Sequence, residues 1–195
     1  GFIIYESQLN IGSGTISGNQ MYGLSAVNSI MSYDNMEVEN NFCGGIMNFQ
    51  SSATLTNSVF TGSAGDNDAL GAAFIGYTSD FIELDNNQFI GTEANSEIMT
   101  NLYEVGGAIV TNNTFSDAYM GLLVRNSYTT IENNTFERPE TYGYSIYFSY
   151  GLTESDSLSQ SHNFSNNTFS SDIGSYSYDI SCYYGGSLVM DSDAF

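Results

Sequence analysis

The stretch GGAIVTNNTF at residues 106–115 decides the fold of this chain. Its second part follows the formula apolar-x-Asn-Asn-x-Phe. Clear copies of the formula begin at Leu84, Val110, Ile131 and Phe164, and looser copies begin at Ile16, Val38, Leu55 and Met190. Successive starts are separated by between 17 residues (Val38 to Leu55) and 33 residues (Ile131 to Phe164). Repetition at such spacing predicts a solenoid of about eight coils, with one copy in each coil.

The formula has a direct interpretation as a strand, a sharp corner and a second strand. Alternate side chains of a strand share one face, so the first apolar residue and the final Phe point inward. Asn tolerates a left-handed backbone, which lets the Asn pair turn the chain. With coils about 4.8 Å apart, the second Asn of each pair stacks on its counterparts and the amides form a ladder. The expected internal ladder is Asn87, Asn113, Asn134 and Asn167, and the expected ring stack beside it is Phe89, Phe115, Phe136 and Phe169.

A second phrase places tiny residues before an apolar strand, as GGIM at 44–47, GAAF at 71–74, GGAI at 106–109 and GGSL at 185–188. Tiny residues allow tight bends and close approach of neighbouring coils. Where the two phrases join, the chain resembles the GGAI and FxxN repeats of chlamydial polymorphic outer-membrane-protein passengers, and more loosely the right-handed parallel β-helix repeat. The resemblance covers nearly the whole chain. It implies a fold shared by adhesins, surface proteins and polysaccharide enzymes, and it carries no catalytic residue across.

Composition supports an all-β chain. The sequence has one Pro, 20 Gly, 15 Tyr and 13 Phe, and it lacks a long stretch with helical apolar spacing. We therefore predict an all-β, right-handed parallel β-helix that forms a single domain over residues 1–195, either a mature product or a part excised from a longer chain. The polar segment TESDSLSQSH at 153–162 is interpreted as a loop inserted between coils, with the sole His162 in it.

Charge limits the partners of this protein. The chain has 22 acidic residues against two basic ones, Arg125 and Arg138, for a net charge of −20. A surface of that sign repels phosphate backbones and anionic lipids, which disfavours binding to nucleic acid or to a membrane surface. The sequence also lacks an apolar run of membrane-spanning length, so no membrane insertion is expected.

The acidic residues fall mainly at outward positions of the formula, which indicates a solvated face. The best local candidate for a cation site is DNDALG at 66–71, where Asp66 and Asp68 would be ligands. It departs from an EF-hand because Leu70 stands at the fifth position and Tyr77 at the twelfth, where a bidentate Glu is needed. We predict no cofactor, with calcium at Asp66 and Asp68 as the alternative.

Four glycosylation sequons occur, at Asn112, Asn133, Asn163 and Asn166. Three of them are the first Asn of a corner pair, which should face outward and be able to carry a glycan. The expected location is extracellular or at the cell surface, although the sequence contains no targeting segment.

The two cysteines are expected to be unpaired. Cys43 and Cys182 lie about six coils apart in the inferred stack, or about 29 Å, well beyond the roughly 7 Å that a disulfide spans. Cys43 is assigned to the inward Phe position of its coil, as a buried thiol, with intermolecular pairing as the alternative.

The residues of this chain give little support to the enzymatic functions known for parallel β-helices. Lyase chemistry on uronates needs an Arg or Lys as base, and the anionic substrate would meet a negative protein. Polygalacturonase-like chemistry needs paired Asp residues, whereas this chain has no Asp-Asp pair and no Lys. A carbohydrate-binding or polysaccharide-cleaving β-helix protein is kept as the alternative function.

The leading hypothesis is a secreted structural subunit of an extracellular fibre or surface layer that polymerises with copies of itself. Strand edges and apolar side chains at uncapped solenoid ends favour stacking or strand exchange, unless flanking domains cover them. The residues expected to take part are Phe2, Ile3, Ile4 and Tyr5 at one end, and Met190 and Phe195 at the other. The Tyr-rich strand at 142–150 is interpreted as core with a Tyr-lined outer face, or else as an assembly contact or sugar platform.

Overall fold

The computed structural model describes residues 1–62, 72–92, 97–138, 143–149, 161–171, 177–183 and 187–194. Within these residues every regular element is a β-strand. In chain order the strands are β1 (Phe2–Tyr5), β2 (Gln8–Ile11), β3 (Gly14–Ser17), β4 (Tyr22–Val27), β5 (Ile30–Asp34), β6 (Met36–Glu39), β7 (Gly44–Phe49), β8 (Ser52–Thr56), β9 (Val59–Thr61), β10 (Ala72–Tyr77), β11 (Ile82–Asp85), β12 (Gln88–Ile90), β13 (Ile98–Tyr103), β14 (Ala108–Thr111), β15 (Thr114–Ser116), β16 (Met120–Arg125), β17 (Thr129–Glu132), β18 (Thr135–Arg138), β19 (Gly143–Ser149), β20 (Ser161–Ser165), β21 (Thr168–Ser171), β22 (Ser177–Tyr183) and β23 (Ser187–Asp191).

Every third strand stacks on the strand of the coil before, which produces three parallel sheets. Sheet A is β1-β4-β7-β10-β13-β16-β19-β22, sheet B is β2-β5-β8-β11-β14-β17-β20-β23, and sheet C is β3-β6-β9-β12-β15-β18-β21. The expected all-β parallel solenoid is confirmed. Six coils, from β4–β6 to β19–β21, lie between neighbours on both sides, with one further coil at the first end and an incomplete one at the last. The number of enclosed coils is thus slightly below the predicted eight.

The corner between sheets B and C is built as the Asn pairs predict. The first residue of the pair is left-handed in successive coils: Asn57, Asn86, Asn112, Asn133 and Asn166 have φ between 51° and 57°. Left-handed backbone is costly for most residues but tolerated by Asn, so a run of Asn at this position lowers the cost of the turn. The side chains of the first Asn are exposed, whereas those of the second Asn are buried.

The second Asn of each pair forms the expected internal ladder. Nδ2 of Asn87 donates to Oδ1 of Asn113, Nδ2 of Asn113 to Oδ1 of Asn134, and Nδ2 of Asn134 to Oδ1 of Asn167, each at 3.0 Å. The same Oδ1 atoms accept the backbone N–H of the previous coil at 2.9 to 3.0 Å. The ladder continues to Asp193, whose Oδ1 accepts from Asn167 Nδ2 at 2.8 Å. These bonds satisfy the buried amides of successive coils from Asn87 to Asn167.

The aromatic stack also forms beside the ladder. Phe60, Phe89, Phe115, Phe136 and Phe169 lie one above another, with ring centroids 4.8 to 5.1 Å apart. Stacked rings at this spacing bury a continuous apolar column inside sheet C.

Two glycines at the starts of sheet A strands, Gly45 of the GGIM copy and Gly121, make room for this column, whereas the GGAI copy precedes β14 of sheet B. A Cβ added at Gly45 would lie 2.6 Å from Val38 Cγ1 and 3.3 Å from Phe60, and one at Gly121 would lie 3.2 Å from Phe115 Cβ. Glycines at the beginnings of the sheet A strands therefore let these strands approach the side chains of sheet C.

A second ladder, made of serines, occupies the corner between sheets A and B. The backbone N–H of Ser7 donates to Ser29 Oγ at 3.2 Å, that of Ser29 to Ser51 Oγ at 3.0 Å, and that of Val105 to Ser127 Oγ at 2.9 Å. The residue before each serine is left-handed, as at Glu6, Asn28, Gln50, Thr78 and Asn126. This ladder was not predicted from the sequence.

The corner between sheets C and A explains two misplaced copies of the formula. The copies assigned to Ile16 and Val38 do not form the B–C corner; their turns, at Gly18 and Asn40, lead from sheet C into sheet A. Asn19 Nδ2 donates to Asn41 Oδ1 at 2.7 Å there, as a separate amide pair. Any short polar residue that tolerates a left-handed backbone serves at this corner, so the two kinds of turn look alike in sequence.

The main core fills the space inside the three sheets, and a smaller apolar cluster lies on the outer face of sheet A. That cluster contains Ala72, Ile75, Ile98 and Leu123, with Met47 and Tyr147 packed against it. In the Tyr-rich strand, Ile146 and Phe148 are buried in the main core, whereas Tyr144 and Tyr147 are only partly buried. Tyr142 and Tyr150 lie outside the described residues.

Both cysteines are unpaired, but Cys43 does not occupy the inward Phe position. Val38 takes that position, in register with Phe60, and Cys43 follows the next corner as a partly exposed residue. Cys182 lies in the last coil and is exposed.

Candidate functional site

A shallow groove on the outer face of sheet B is the candidate functional site. It is about 270 Å³ in volume. The outer positions that precede β11, β14 and β17 hold Phe81, Gly107 and Tyr128, which stack in successive coils: Ile82 N donates to Gly107 O at 3.0 Å, and Ala108 N to Tyr128 O at 2.8 Å. The groove is lined by Phe81, Gly107, Ala108, Ile109, Tyr128, Thr129, Thr130 and Asn163.

The groove has two aromatic walls and an open floor. Phe81 and Tyr128 are 36% and 43% exposed, which is high for rings of this size. The floor is Gly107, where an added Cβ would meet only Phe81 Cδ2, at 3.9 Å. Thr130 and Asn163, in register on neighbouring strands, supply a hydroxyl and an amide at one side. All of these side chains are neutral.

An aromatic column runs along sheet A at the same corner. Phe49, Tyr77 and Tyr103 stack with centroid distances of 5.4 and 4.8 Å. Arg125 follows Tyr103 in the next coil, and its Nε is buried without a hydrogen bond. Burial lowers the pKa of Arg125, whereas Tyr103 and Tyr147 raise it. The column therefore ends in a half-buried cation.

The two terminal coils expose apolar side chains. In the first coil Phe2, Ile3 and Tyr5 are 62 to 73% exposed, whereas Ile4 is partly buried against the core. In the last coil Leu188, Val189 and Met190 are 36, 56 and 40% exposed. These two surfaces include the assembly residues expected from the sequence, apart from Phe195, which lies outside the described residues.

The four glycosylation candidates are all exposed. Asn112, Asn133 and Asn166 occupy one outward column at the B–C corner, in three successive coils. The Nδ2 atom of Asn112 donates to Asp85 Oδ1 at 2.7 Å. Asn163 lies apart from them, at the edge of the groove on sheet B.

The calcium candidates Asp66 and Asp68 lie outside the described residues. In the part of the chain that the structure describes, no group of three His, Cys, Asp or Glu side chains is placed to hold a metal ion. The same part contains no helix long and apolar enough to cross a membrane.

His162 lies in the core, which corrects its assignment to a loop. It faces inward from β20 and is 2% exposed. Its Nδ1 lies 2.7 Å from Thr129 Oγ1, and its ring lies 4.3 Å from the ring of Phe148. Burial lowers the pKa of His162 to about 4. A buried imidazole held in this way has a structural role and is closed to a substrate at the surface.

Comparison of the chain with protein-family models, with curated proteins and with solved structures finds no match.

Proposed function

We propose that this solenoid is a secreted structural subunit of an extracellular fibre or surface layer, which polymerises through its terminal coils. The observation that carries the proposal is the apolar surface at both ends of the stack, where the inward-facing Phe2 and Met190 are 73% and 40% exposed. Each end also presents the free edges of parallel strands, whose N–H and C=O groups can pair with another strand. A second copy supplies such strands in the same parallel arrangement.

When the last coil of one copy contacts the first coil of another, the assembly grows in one direction. A head-to-tail contact of this kind remains open and extends into a fibre unless its rotation closes a ring.

The resemblance of the repeats to those of chlamydial surface passengers supports a role at a cell surface, and the exposed Asn column supports passage through a glycosylating secretory route.

The net charge of −20 limits which interactions can hold the end-to-end contact together. Repulsion between such subunits opposes association, so attraction must come from apolar burial and backbone hydrogen bonds. A charge placed inside the end contact should therefore weaken it strongly.

One matched pair of variants tests the proposal. Leu188→Asp adds a carboxylate to the last coil, whereas Ile30→Asp adds one to an exposed aliphatic position on the side of the stack, where Ile30 is 59% exposed. We expect light scattering and electron microscopy to show fibres for the parent chain and Ile30→Asp, and mainly monomers for Leu188→Asp. A parent chain that remains monomeric at high concentration contradicts the proposal and indicates that flanking segments cover these edges.

A further inference from the structure

We propose that the groove over Phe81, Gly107 and Tyr128 binds a neutral β-1,4-linked oligosaccharide. This site is on the side of the stack, where Asn163 at its edge is in register with Val189 of the last coil. It does not depend on the assembly proposed above.

The spacing of the two rings favours a straight sugar chain. Phe81 and Tyr128 stand two coils apart, which is about 9.6 Å along the stack. That distance is close to the length of one disaccharide unit in an extended β-1,4-linked chain. In such a chain the ring hydrogens are axial, so each sugar presents a flat C–H face that can pack on an aromatic ring, while its hydroxyls point sideways.

Gly107 leaves the path between the rings open. Its backbone does not lie in the left-handed region, and a Cβ built on it would approach only Phe81 Cδ2, at 3.9 Å. A side chain could therefore be accommodated here, so the backbone does not require Gly at this position. The effect of the Gly is to leave space above the sheet. The groove, of about 270 Å³, is slightly smaller than the roughly 300 to 1,000 Å³ of drug-sized pockets. It would therefore enclose only part of a chain that contacts both aromatic rings.

Polar groups and charge restrict the ligand further. The hydroxyl of Thr130 and the amide of Asn163 offer donors and acceptors that match sugar hydroxyls. The lining contains no charged side chain, and the net charge of −20 repels uronates and sulfated sugars. A neutral hexopyranose chain fits both conditions.

The test measures binding of cellohexaose and chitohexaose by calorimetry, with hexagalacturonate as the anionic comparison. The full chain is produced without glycosylation, because a glycan on Asn163 would compete for the groove. Tyr128→Ala removes one wall, and Gly107→Val fills the floor with a residue that strands favour. Ile30→Ala is the control, since Ile30 is an exposed apolar side chain of the same outer column, outside the groove.

At least one neutral hexasaccharide should bind, and Tyr128→Ala and Gly107→Val should each weaken binding about tenfold or more, a change readily measured. Ile30→Ala should leave the dissociation constant within about twofold. Absence of saturable binding to both neutral probes, tighter binding of hexagalacturonate, or unchanged affinity in a folded Gly107→Val variant would each overturn the proposal. Fibre formation should be the same in all three variants, so failure here is distinct from failure of the assembly proposal.

Discussion

Asn134 shows how much depends on one ladder amide. Its Oδ1 accepts the backbone N–H and the Nδ2 of Asn113, at 2.9 and 3.0 Å, and its Nδ2 donates to Val110 O at 2.8 Å. Asn113 Nδ2 also donates to Leu84 O and Thr111 O, so Asn134→Ala leaves chiefly the buried backbone N–H of Asn113 without its acceptor. We expect the substitution to lower the free energy of unfolding by about 1 to 3 kcal/mol. Glu132→Ala, at an outward position two residues earlier, should cost under about 0.5 kcal/mol. Urea unfolding of both variants decides this, and equal midpoints would contradict it.

Asp193 ends the ladder with a carboxylate, which has no N–H group to donate. In the four preceding coils Nδ2 of the ladder Asn donates to a carbonyl one coil back, as Asn167 Nδ2 does to Ile131 O at 2.8 Å. In Asp193 the corresponding atom is Oδ2, which is buried without a partner. Asp193→Asn restores a donor and should raise the free energy of unfolding by about 1 kcal/mol.

The control for that substitution is Asp191→Asn, which changes the net charge equally at an exposed position of the same coil. If both variants are stabilised to the same degree, reduced repulsion rather than ladder completion explains the gain.

The buried imidazole of His162 predicts loss of stability in mild acid. Its pKa is about 4 in the folded protein because burial disfavours the charged form, and about 6.5 when the chain is unfolded. The unfolded state therefore binds the proton first, so stability falls as the pH drops from about 6.5 to about 4, by about 3 kcal/mol at most. His162→Leu removes this dependence, whereas titration of the many carboxylates is common to both proteins. Urea midpoints at several pH values should fall more steeply for the parent chain; parallel curves would refute the prediction.

The three corners of a coil differ in how well the sequence predicts them. The B–C corner could be predicted because four coils build it from two adjacent Asn, one left-handed and one buried, followed by an inward Phe. The A–B corner requires only a Ser after a tolerant residue, and Ser is common in loops, so its ladder was missed. A 22-residue interval from Ser7 to Ser29 and again to Ser51 was the available signal.

Stacking also limits how many glycans one folded molecule can carry. Asn112, Asn133 and Asn166 occupy adjacent coils, with backbone bonds Asn112 N to Glu132 O and Asn133 N to Ser165 O at 3.1 and 3.0 Å. Neighbours in such a column are about 4.8 Å apart, too close for bulky glycans side by side. Protein secreted by a eukaryotic host should therefore carry glycans on Asn112 and Asn166, or on Asn133 alone. Intact-mass and glycopeptide mass spectrometry tests this, and folded molecules with all three sites occupied would contradict it.

At the scale of the molecule, side chains far apart in sequence become neighbours only through stacking. Phe81, Gly107 and Tyr128 belong to three different coils, and loops of unequal length separate them. Their alignment depends on the number of residues in each loop and on which corner each turn forms, which the repeat formula alone does not determine. The ladder and the Phe stack were predictable because each coil from Asn87 to Asn167 carries its own copy of the formula, whereas the groove exists only in the assembled stack.

Assembly through the terminal coils predicts an unusual response to salt. Each subunit carries a net charge of −20, so repulsion between copies acts against an attraction that is apolar and backbone-bonded. Raising the salt concentration from about 0.01 to about 1 M shortens the screening length from about 30 to about 3 Å, which removes most of the repulsion while leaving apolar burial intact. The mean mass measured by light scattering should therefore rise with salt, and Leu188→Asp should remain smaller than the parent chain at every concentration. A mass that falls as salt increases would show that ion pairs hold the copies together, and it would contradict an apolar end contact.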